Sequence, residues 1–356
     1  MGKKSYDSFK IIWHPEKLKS LKEGNVMPPV YVRVKPTNKC NHNCFYCVYE
    51  PDFSGIHNKT NRNDEIPYEK MIEILEDFKN MGVKALTYSG GGEPLVYPYI
   101  KEILKKTLDY GIDLSMITNG QSLKGEFAEI LSNAKWIRIS SDSVNPKMFL
   151  EIRRRPERMF EELMNNIKDF AKIKKPDCVL GVNFVVHNLN NDNIYEAAEL
   201  YKSLGVNHIK FSAAWKSQGF HEYHKEIKAE VIEQIEKAKK ELQDENFEVY
   251  DTYEKDLNLT GVSERSYDRC FIMQTVPVIG ADCNVYFCHN KAYSEDGKLG
   301  SIKGKSFKEL WFSKESLNKF KNFNPMESCK HQCTNDSKNL LIKQLIDSCG
   351  EHVNFV

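Results

Sequence analysis

Along residues 29–211, short runs of β-branched and other apolar residues alternate with amphipathic stretches. The runs at 30–34, 83–89, 112–118, 136–141, 179–186 and 207–211 predict strands. The stretches near 67–81, 98–110, 122–133, 145–174 and 192–204 carry apolar positions at helical spacing and predict helices. Gly82, Gly111 and Gly205 stand where a helix C-terminus favours a left-handed residue. Strands separated by helices pair in parallel, because each parallel connection needs a crossover element. The pattern is therefore α/β, and both an open barrel and a doubly wound sheet satisfy it. In either, ligands gather at the carboxyl ends of the strands.

Residues 222–243 read as one charged amphipathic helix with Ile227, Val231, Ile232 and Ile235 on its apolar face. The βα rhythm then stops. Val276 to Phe287 predicts two short strands around a turn at Gly280-Ala281-Asp282, with a helix near 306–321. The chain divides into an N-terminal extension (1–28), a βα region (29–220), a helical connecting region that completes it (221–262) and a cysteine-rich C-terminal domain (263–356).

Composition narrows the class. The 356 residues, at roughly 100–200 per domain, allow two or three domains. A hydrophobic content of 40% excludes disorder of the whole, and 51 Lys+Arg against 50 Asp+Glu disfavour a general polyanion binder, so no nucleic-acid partner is expected. No apolar run approaches the about 18 residues that span a bilayer, and MGKKSYDSFK lacks the apolar stretch of a signal peptide. A cytoplasmic protein with no membrane partner is expected. Ten cysteines in a reducing compartment then call for a metal or redox explanation.

The cysteines bunch. Three fall within residues 40–47 and six within the last 87 residues; Cys178 alone lies between, in an apolar run where a small buried hydrophobe suffices. Cys40, Cys44 and Cys47 form C-x3-C-x2-C directly after the first strand. Thiolates on one short loop converge on one inorganic centre, and Asn41 and Asn43 suit such a loop because Asn tolerates left-handed angles. A four-iron cubane normally takes four thiolates, so three leave one iron open. A structural zinc held by the three cysteines and His42 satisfies the same eight residues. Further on, the strand at 83–89 runs into Gly90-Gly91-Gly92-Glu93-Pro94. Consecutive glycines let backbone approach a ligand closely, and the adjacent carboxylate can receive an ammonium group.

These two features, in this order and strand context, resemble the radical S-adenosylmethionine (radical SAM) superfamily. The resemblance covers about residues 30–215 and implies a partial (βα)6 barrel. It implies Cys40, Cys44 and Cys47 as ligands of a SAM-binding 4Fe-4S cluster, Tyr46 beside the adenine, and Gly91, Gly92 and Glu93 as the turn that holds the methionine amino group. Thr118, Asn119, Ser140 and Asp142, at the next two strand ends, are further implied SAM contacts, and Arg153 an implied carboxylate contact. The cofactors would be the cluster and SAM, reduced by a flavodoxin- or ferredoxin-type donor.

The tail carries Cys270, Cys283, Cys288, Cys329, Cys333 and Cys349, a layout that four-thiolate zinc sites share. The segment Ala281 to Cys288, with Leu299-Gly300-Ser301-Ile302 and Phe307 to Trp311 after it, resembles the SPASM/twitch subfamily, whose members carry auxiliary iron–sulfur clusters. Cys283 stands where relatives have Gly, and the full seven-cysteine set for two clusters is absent. One auxiliary 4Fe-4S cluster held by Cys270, Cys288, Cys329 and Cys333 is implied, with Cys283 and Cys349 as substitute ligands or free thiols. A free Cys283 facing substrate could return a hydrogen atom to a substrate radical.

The resemblance implies an oxidoreductase- or epimerase-type enzyme that cleaves SAM to a 5'-deoxyadenosyl radical and takes hydrogen from a small polar substrate, such as a sugar, aminocyclitol or nucleotide-linked sugar, leading to oxidation, epimerisation or dehydration. Peptide or protein side-chain modification is the alternative; the 39 residues before Cys40 are few for a peptide-recognition domain. A non-catalytic iron–sulfur or zinc protein is a third reading. Asn183, His187, Asn188, Lys210 and Trp215 are candidates to line the substrate cavity.

Overall fold

Period-two alternation within each strand decides the architecture. In β1 (Tyr31–Val34), Val32 and Val34 are buried while Tyr31 and Arg33 are half-buried; β4 (Trp136–Ser140) repeats this with Ile137 and Ile139 against Trp136, Arg138 and Ser140. The apolar set packs under the helices in one continuous core with Leu86, Met116, Val182 and Phe211. The polar set lines the opposite face, which closes into a partial barrel.

The computed structural model describes residues 8–54, 60–259, 265–329 and 333–348. Its single sheet runs β10-β9-β8-β1-β2-β3-β4-β5-β6-β7. β2 (Ala85–Tyr88), β3 (Asp113–Thr118), β5 (Val179–Val186), β6 (His208–Ala213) and β7 (Glu248–Asp251) complete a run of parallel pairings from β1 to β7. The six expected strands are present, and β7, too short and too charged to stand out in the sequence, adds a seventh. β8 (Val278–Ile279) pairs parallel with β1, and β9 (Asn284–Tyr286) and β10 (Lys298–Ser301) follow antiparallel. The cysteine-rich tail thus extends the barrel's own sheet past β1.

The expected helices form with breaks. The stretch 145–174 divides into Pro146–Arg153 and Arg158–Ile173, because Arg154 takes a left-handed φ of 51° and Pro156 cannot continue a helix. The stretch 222–243 divides into Phe220–Lys225 and Lys228–Leu242, and 306–321 into Phe307–Trp311 and Lys314–Asn322, the latter restarted by the Ser313 side-chain cap on the Ser316 amide. Gly82, Gly111 and Gly205 all have the expected positive φ. Phe307 meets Phe78 edge-on at 5.1 Å, so the tail helix docks on the helix Tyr68–Met81; burying such a side chain contributes about 1.5–3 kcal/mol. Among the described residues no helix is long and apolar enough to cross a membrane.

Candidate functional site

The loop after β1 carries the first three cysteines over the carboxyl ends of β1 to β4. Its approach is fixed by backbone: the Gly92 amide donates to the Thr37 carbonyl at 3.1 Å and the Glu93 amide to that of Lys39 at 2.9 Å. A Cβ on Gly91 would lie 1.8 Å from Asn38 Oδ1, and one on Gly92 2.0 Å from the Lys39 carbonyl oxygen. The glycines are therefore required first by contact with the chain entering Cys40, a constraint the sequence alone assigned to a ligand.

Glu93 is buried, and both its oxygens are engaged. Oε1 accepts from Thr118 Oγ1 at 2.5 Å and the Leu95 amide at 3.1 Å, and Oε2 from the Asn119 amide at 2.7 Å. Burial pushes its carboxyl above the usual range, and these three donors oppose that shift. A carboxylate pair accepts about four hydrogen bonds, so the second position on Oε2 is left for a further donor such as an ammonium. Asn119 Nδ2 also reaches Asn41 Oδ1 at 2.7 Å, and Arg155 Nε donates to the Asn41 carbonyl at 2.5 Å. Asn41 thus tethers the loop by hydrogen bonds. Neither it nor Asn43 is among the residues with positive φ, contrary to the expectation of left-handed angles.

Arg153 ties the loop to β4. Its guanidinium donates Nε to Asp142 Oδ1 at 2.8 Å, Nη2 to the Ser140 carbonyl at 2.8 Å and Nη1 to Cys44 Sγ at 3.3 Å. Arg153 and Asp142 are both buried, whereas Arg154 is exposed, which resolves the choice among the three consecutive arginines. Arg153 thus gives one edge to Asp142 and turns another toward a cysteine, with two of its five N–H donors outside these bonds. Tyr46 lies tilted on His187 at 5.4 Å with the Arg153 guanidinium 5.8 Å from its ring.

Burial pushes the Cys44 and Cys47 thiols upward, with Arg153 opposing the shift at Cys44; Cys40 is exposed as a residue, yet the protein packed around its sulfur raises its thiol to about 12. A cationic centre is the ordinary means of holding such thiols as thiolates. His42 does not join them. Its ring packs edge-on against Phe149 at 5.6 Å, with neither nitrogen hydrogen-bonded. Among the described residues no three His, Cys, Asp or Glu side chains stand close enough together to hold a single ion.

The second group surrounds a cavity. Cys270, Cys288, Cys329 and Cys333 all line it, between apolar walls of Ile272, Phe287 and Phe323. Burial lifts all four thiols, Cys288 to about 12, and Cys270, Cys288 and Cys329 also feel the charge of others in the set. Backbone amides near Met273, Lys291 and Asn335 point at the sulfurs, and the cations Lys291 and Arg265 flank Cys329. Four thiols around one pocket, with amide donors and cations beside them, fit a thiolate-bound iron–sulfur cluster. Arg265 and Lys291 escaped the sequence reading because their meaning depends on a fold that brings 265, 291 and 329 together.

Cys283 belongs to neither group. It sits in the turn between β8 and β9 at φ 60°, is 4% exposed, and packs in the main apolar core. The expected role was a substrate-facing hydrogen donor; the thiol lies instead among core side chains. Cys178 is core as expected, and Cys349 lies outside the described residues. Of the suggested cavity residues, Asn183 faces the polar side, where its Nδ2 donates to Ser212 Oγ at 3.1 Å, and Lys210 lies beside it in register. His187 is instead buried against Phe45 and Tyr46, and Asn188 is exposed beside Tyr223.

Comparison with known proteins agrees with this geometry. A family model described as the radical SAM superfamily matches residues 34–201, and one described as an iron–sulfur cluster-binding domain, SPASM, matches residues 270–334. A GTP 3',8-cyclase from Nautilia profundicola is 29% identical over 208 residues, covering 57% of this chain and 61% of that protein. An S-adenosylmethionine-dependent nucleotide dehydratase from Flammeovirga pacifica is 27% identical over 176 residues, covering 48% and 58%. The chain thus spans little more than half the length of these curated relatives. Streptococcus suis SuiB bound to S-adenosylmethionine superposes with a TM-score of 0.62 at 17% identity, over 88% of this chain and 72% of that one, a likeness of fold. With a cysteine loop above a parallel partial barrel and a four-cysteine cavity in the tail, the chain carries a radical SAM domain over residues 34–201 and a SPASM domain over residues 270–334, and has 4Fe-4S clusters and SAM as its cofactors.

Proposed function

We propose that this radical SAM enzyme abstracts hydrogen from a small polar substrate of the sugar or nucleotide kind, leading to oxidation, epimerisation or dehydration. When bound, the cluster supplies the electron that splits SAM into methionine and a 5'-deoxyadenosyl radical. In this reading Cys40, Cys44 and Cys47 hold that cluster, with Arg153 fixing the Cys44 sulfur against β4. Glu93 offers its remaining acceptor position to the SAM ammonium, and Thr118 and Asn119 keep the carboxylate oriented. The Gly91-Gly92 backbone, pressed on Asn38 and Lys39, fixes the turn against the cysteine loop. Cys270, Cys288, Cys329 and Cys333 hold one auxiliary cluster, and a flavodoxin- or ferredoxin-type protein delivers the electron.

The observation that carries the substrate reading is the polar face of the barrel. Tyr31, Thr87 and Ser115 form a chain of hydroxyls, each step 2.6 Å long, with Arg33 Nε donating to Tyr31 at 3.0 Å. Thr87 and Ser115 are buried behind this chain, and the half-buried Tyr31 and Arg33 are its groups open to a hydroxyl-rich molecule. The curated relatives named for GTP and nucleotide chemistry support the same class. The test is isotope transfer. Anaerobic holoprotein with SAM, dithionite and deuterated nucleotides or nucleotide-linked sugars should give deuterium-labelled 5'-deoxyadenosine with one substrate class. Label only from a peptide would overturn the reading.

A further inference from the structure

Tyr293, a buried residue of the cysteine-rich tail, reaches the loop that enters Cys40. β8 pairs with β1, Arg33 with Val278 and Val34 with Ile279, and the Lys35 amide continues the ladder to the Ile279 carbonyl at 2.9 Å. The tail hairpin is therefore carried alongside the chain that leads into the cysteine loop. The Tyr293 hydroxyl donates to Asn38 Oδ1 at 2.6 Å and accepts from the Ala281 amide at 3.2 Å. Asn38 Nδ2 donates in turn to the Asn61 carbonyl at 2.9 Å, so the side chain two residues before Cys40 is held at both ends.

Asn38 bears directly on the Gly-Gly-Glu turn. A Cβ on Gly91 would fall 1.8 Å from Asn38 Oδ1 and 2.9 Å from the Tyr293 hydroxyl oxygen, so turn, loop and tail meet at one point. On either side of Asn38, the Thr37 and Lys39 carbonyls receive the Gly92 and Glu93 amides. Tyr293 holds its place under strain. Among the described residues it is one of three non-glycine residues with positive φ, at 66°, and such an angle persists only where surrounding contacts fix it. Those contacts are present: its ring lies 5.5 Å from that of Tyr286 and, edge-on, 5.9 Å from that of Tyr49, with the Lys35 ammonium 4.7 Å from its centre. Ring packing accounts for the aromatic, and Asn38 and the Ala281 amide account for the hydroxyl. The turn that carries Tyr293 starts at Cys288, and Lys291 within it lines the four-cysteine cavity.

We propose that Tyr293 is a positioning residue for SAM: through Asn38 the tail domain fixes the Gly91-Gly92-Glu93 turn, so that SAM affinity depends on the tail. Loss of the hydroxyl leaves Asn38 Oδ1, buried against Gly91, without its donor, and a buried acceptor that has lost its partner turns away or draws in water. Either response moves the atom on which Gly91 is packed. The hydrogen bonds of the turn to Thr37 and Lys39 remain, so the effect falls on position rather than on folding. This rests on the reading of Glu93 as acceptor of the SAM ammonium and adds to it what holds that acceptor in place.

The test is equilibrium dialysis of SAM against anaerobic holoprotein, with iron and sulfide counted on each sample. Tyr293→Phe keeps the ring and removes the hydroxyl; it should weaken SAM binding about fivefold with iron content unchanged. Asn38→Ala should weaken it similarly, and the two substitutions together by less than about twofold more than either alone, because the same contact is lost in all three proteins. Electron paramagnetic resonance gives a second readout: the change that SAM produces in the signal of the reduced protein should need a correspondingly higher SAM concentration in Tyr293→Phe. Tyr286→Phe, which removes a neighbouring hydroxyl bonded to Asp282 rather than to Asn38, should bind SAM as the wild type does. Unchanged binding in Tyr293→Phe, alongside weakened binding in Glu93→Gln, would overturn the brace alone, and equal weakening in Tyr286→Phe would overturn it as a general loosening of the tail. Unchanged binding in Glu93→Gln would instead remove the reading of the turn, and the brace with it.

Discussion

Cys40, Cys44 and Cys47 sit on one loop, Cys40 exposed, with three thiols from eight residues and a carboxylate, Glu93, close by; Cys270, Cys288, Cys329 and Cys333 come from three separate segments and line one cavity between Ile272, Phe287 and Phe323. The first arrangement leaves room for a ligand that is not protein, as a reactive centre requires. The second supplies four thiols and encloses them, as suits a centre that stores or passes an electron. In the proposed reading the same residue type serves two purposes, and the difference lies in how many thiols converge and what stands around them.

The largest expected break in this comparison is at the loop. Cys40→Ala, Cys44→Ala or Cys47→Ala should remove about four irons and reduce 5'-deoxyadenosine formation to background. Cys288→Ala or Cys329→Ala should also lose about four irons, yet keep substrate-free SAM cleavage within tenfold of wild type while abolishing substrate turnover; equal loss of cleavage would erase the distinction between the sites. Next comes the tether. Arg153→Ala leaves the buried Asp142 unpaired, which should cost about 3–5 kcal/mol in denaturant unfolding, a figure typical of breaking a buried ion pair. Thr118→Ala removes one donor from Glu93 and should cost about 1.5–3 kcal/mol, with weaker SAM binding by equilibrium dialysis. The smallest effect should fall on Cys283→Ala, which loses a sulfur from the core: iron content and SAM cleavage unchanged, stability lower by about 1 kcal/mol.

Much of this was legible in the chain. The β-branched runs marked β1 to β6, because a strand buried on its helix side must repeat apolar residues at every second position. The C-x3-C-x2-C and Gly-Gly-Glu segments were legible because both are local. What escaped needed tertiary contact. Tyr31-Val32-Arg33-Val34-Lys35 reads as an ordinary strand until the pairing with Thr87 turns its cations inward. The breaks at Arg154 and Ser313 depended on backbone angles and caps that periodicity does not register. The core position of Cys283 was hidden because its neighbours along the chain, Asp282 and Asn284, are polar, while its contacts in space are apolar.

Anaerobic reconstitution of the wild-type protein with iron and sulfide, followed by dithionite, SAM and quantitation of 5'-deoxyadenosine, tests the radical assignment most directly. The expected result is about eight irons per chain, in two four-iron clusters, with 5'-deoxyadenosine and methionine formed in equal amounts. Tight zinc, no iron uptake and intact SAM would contradict it.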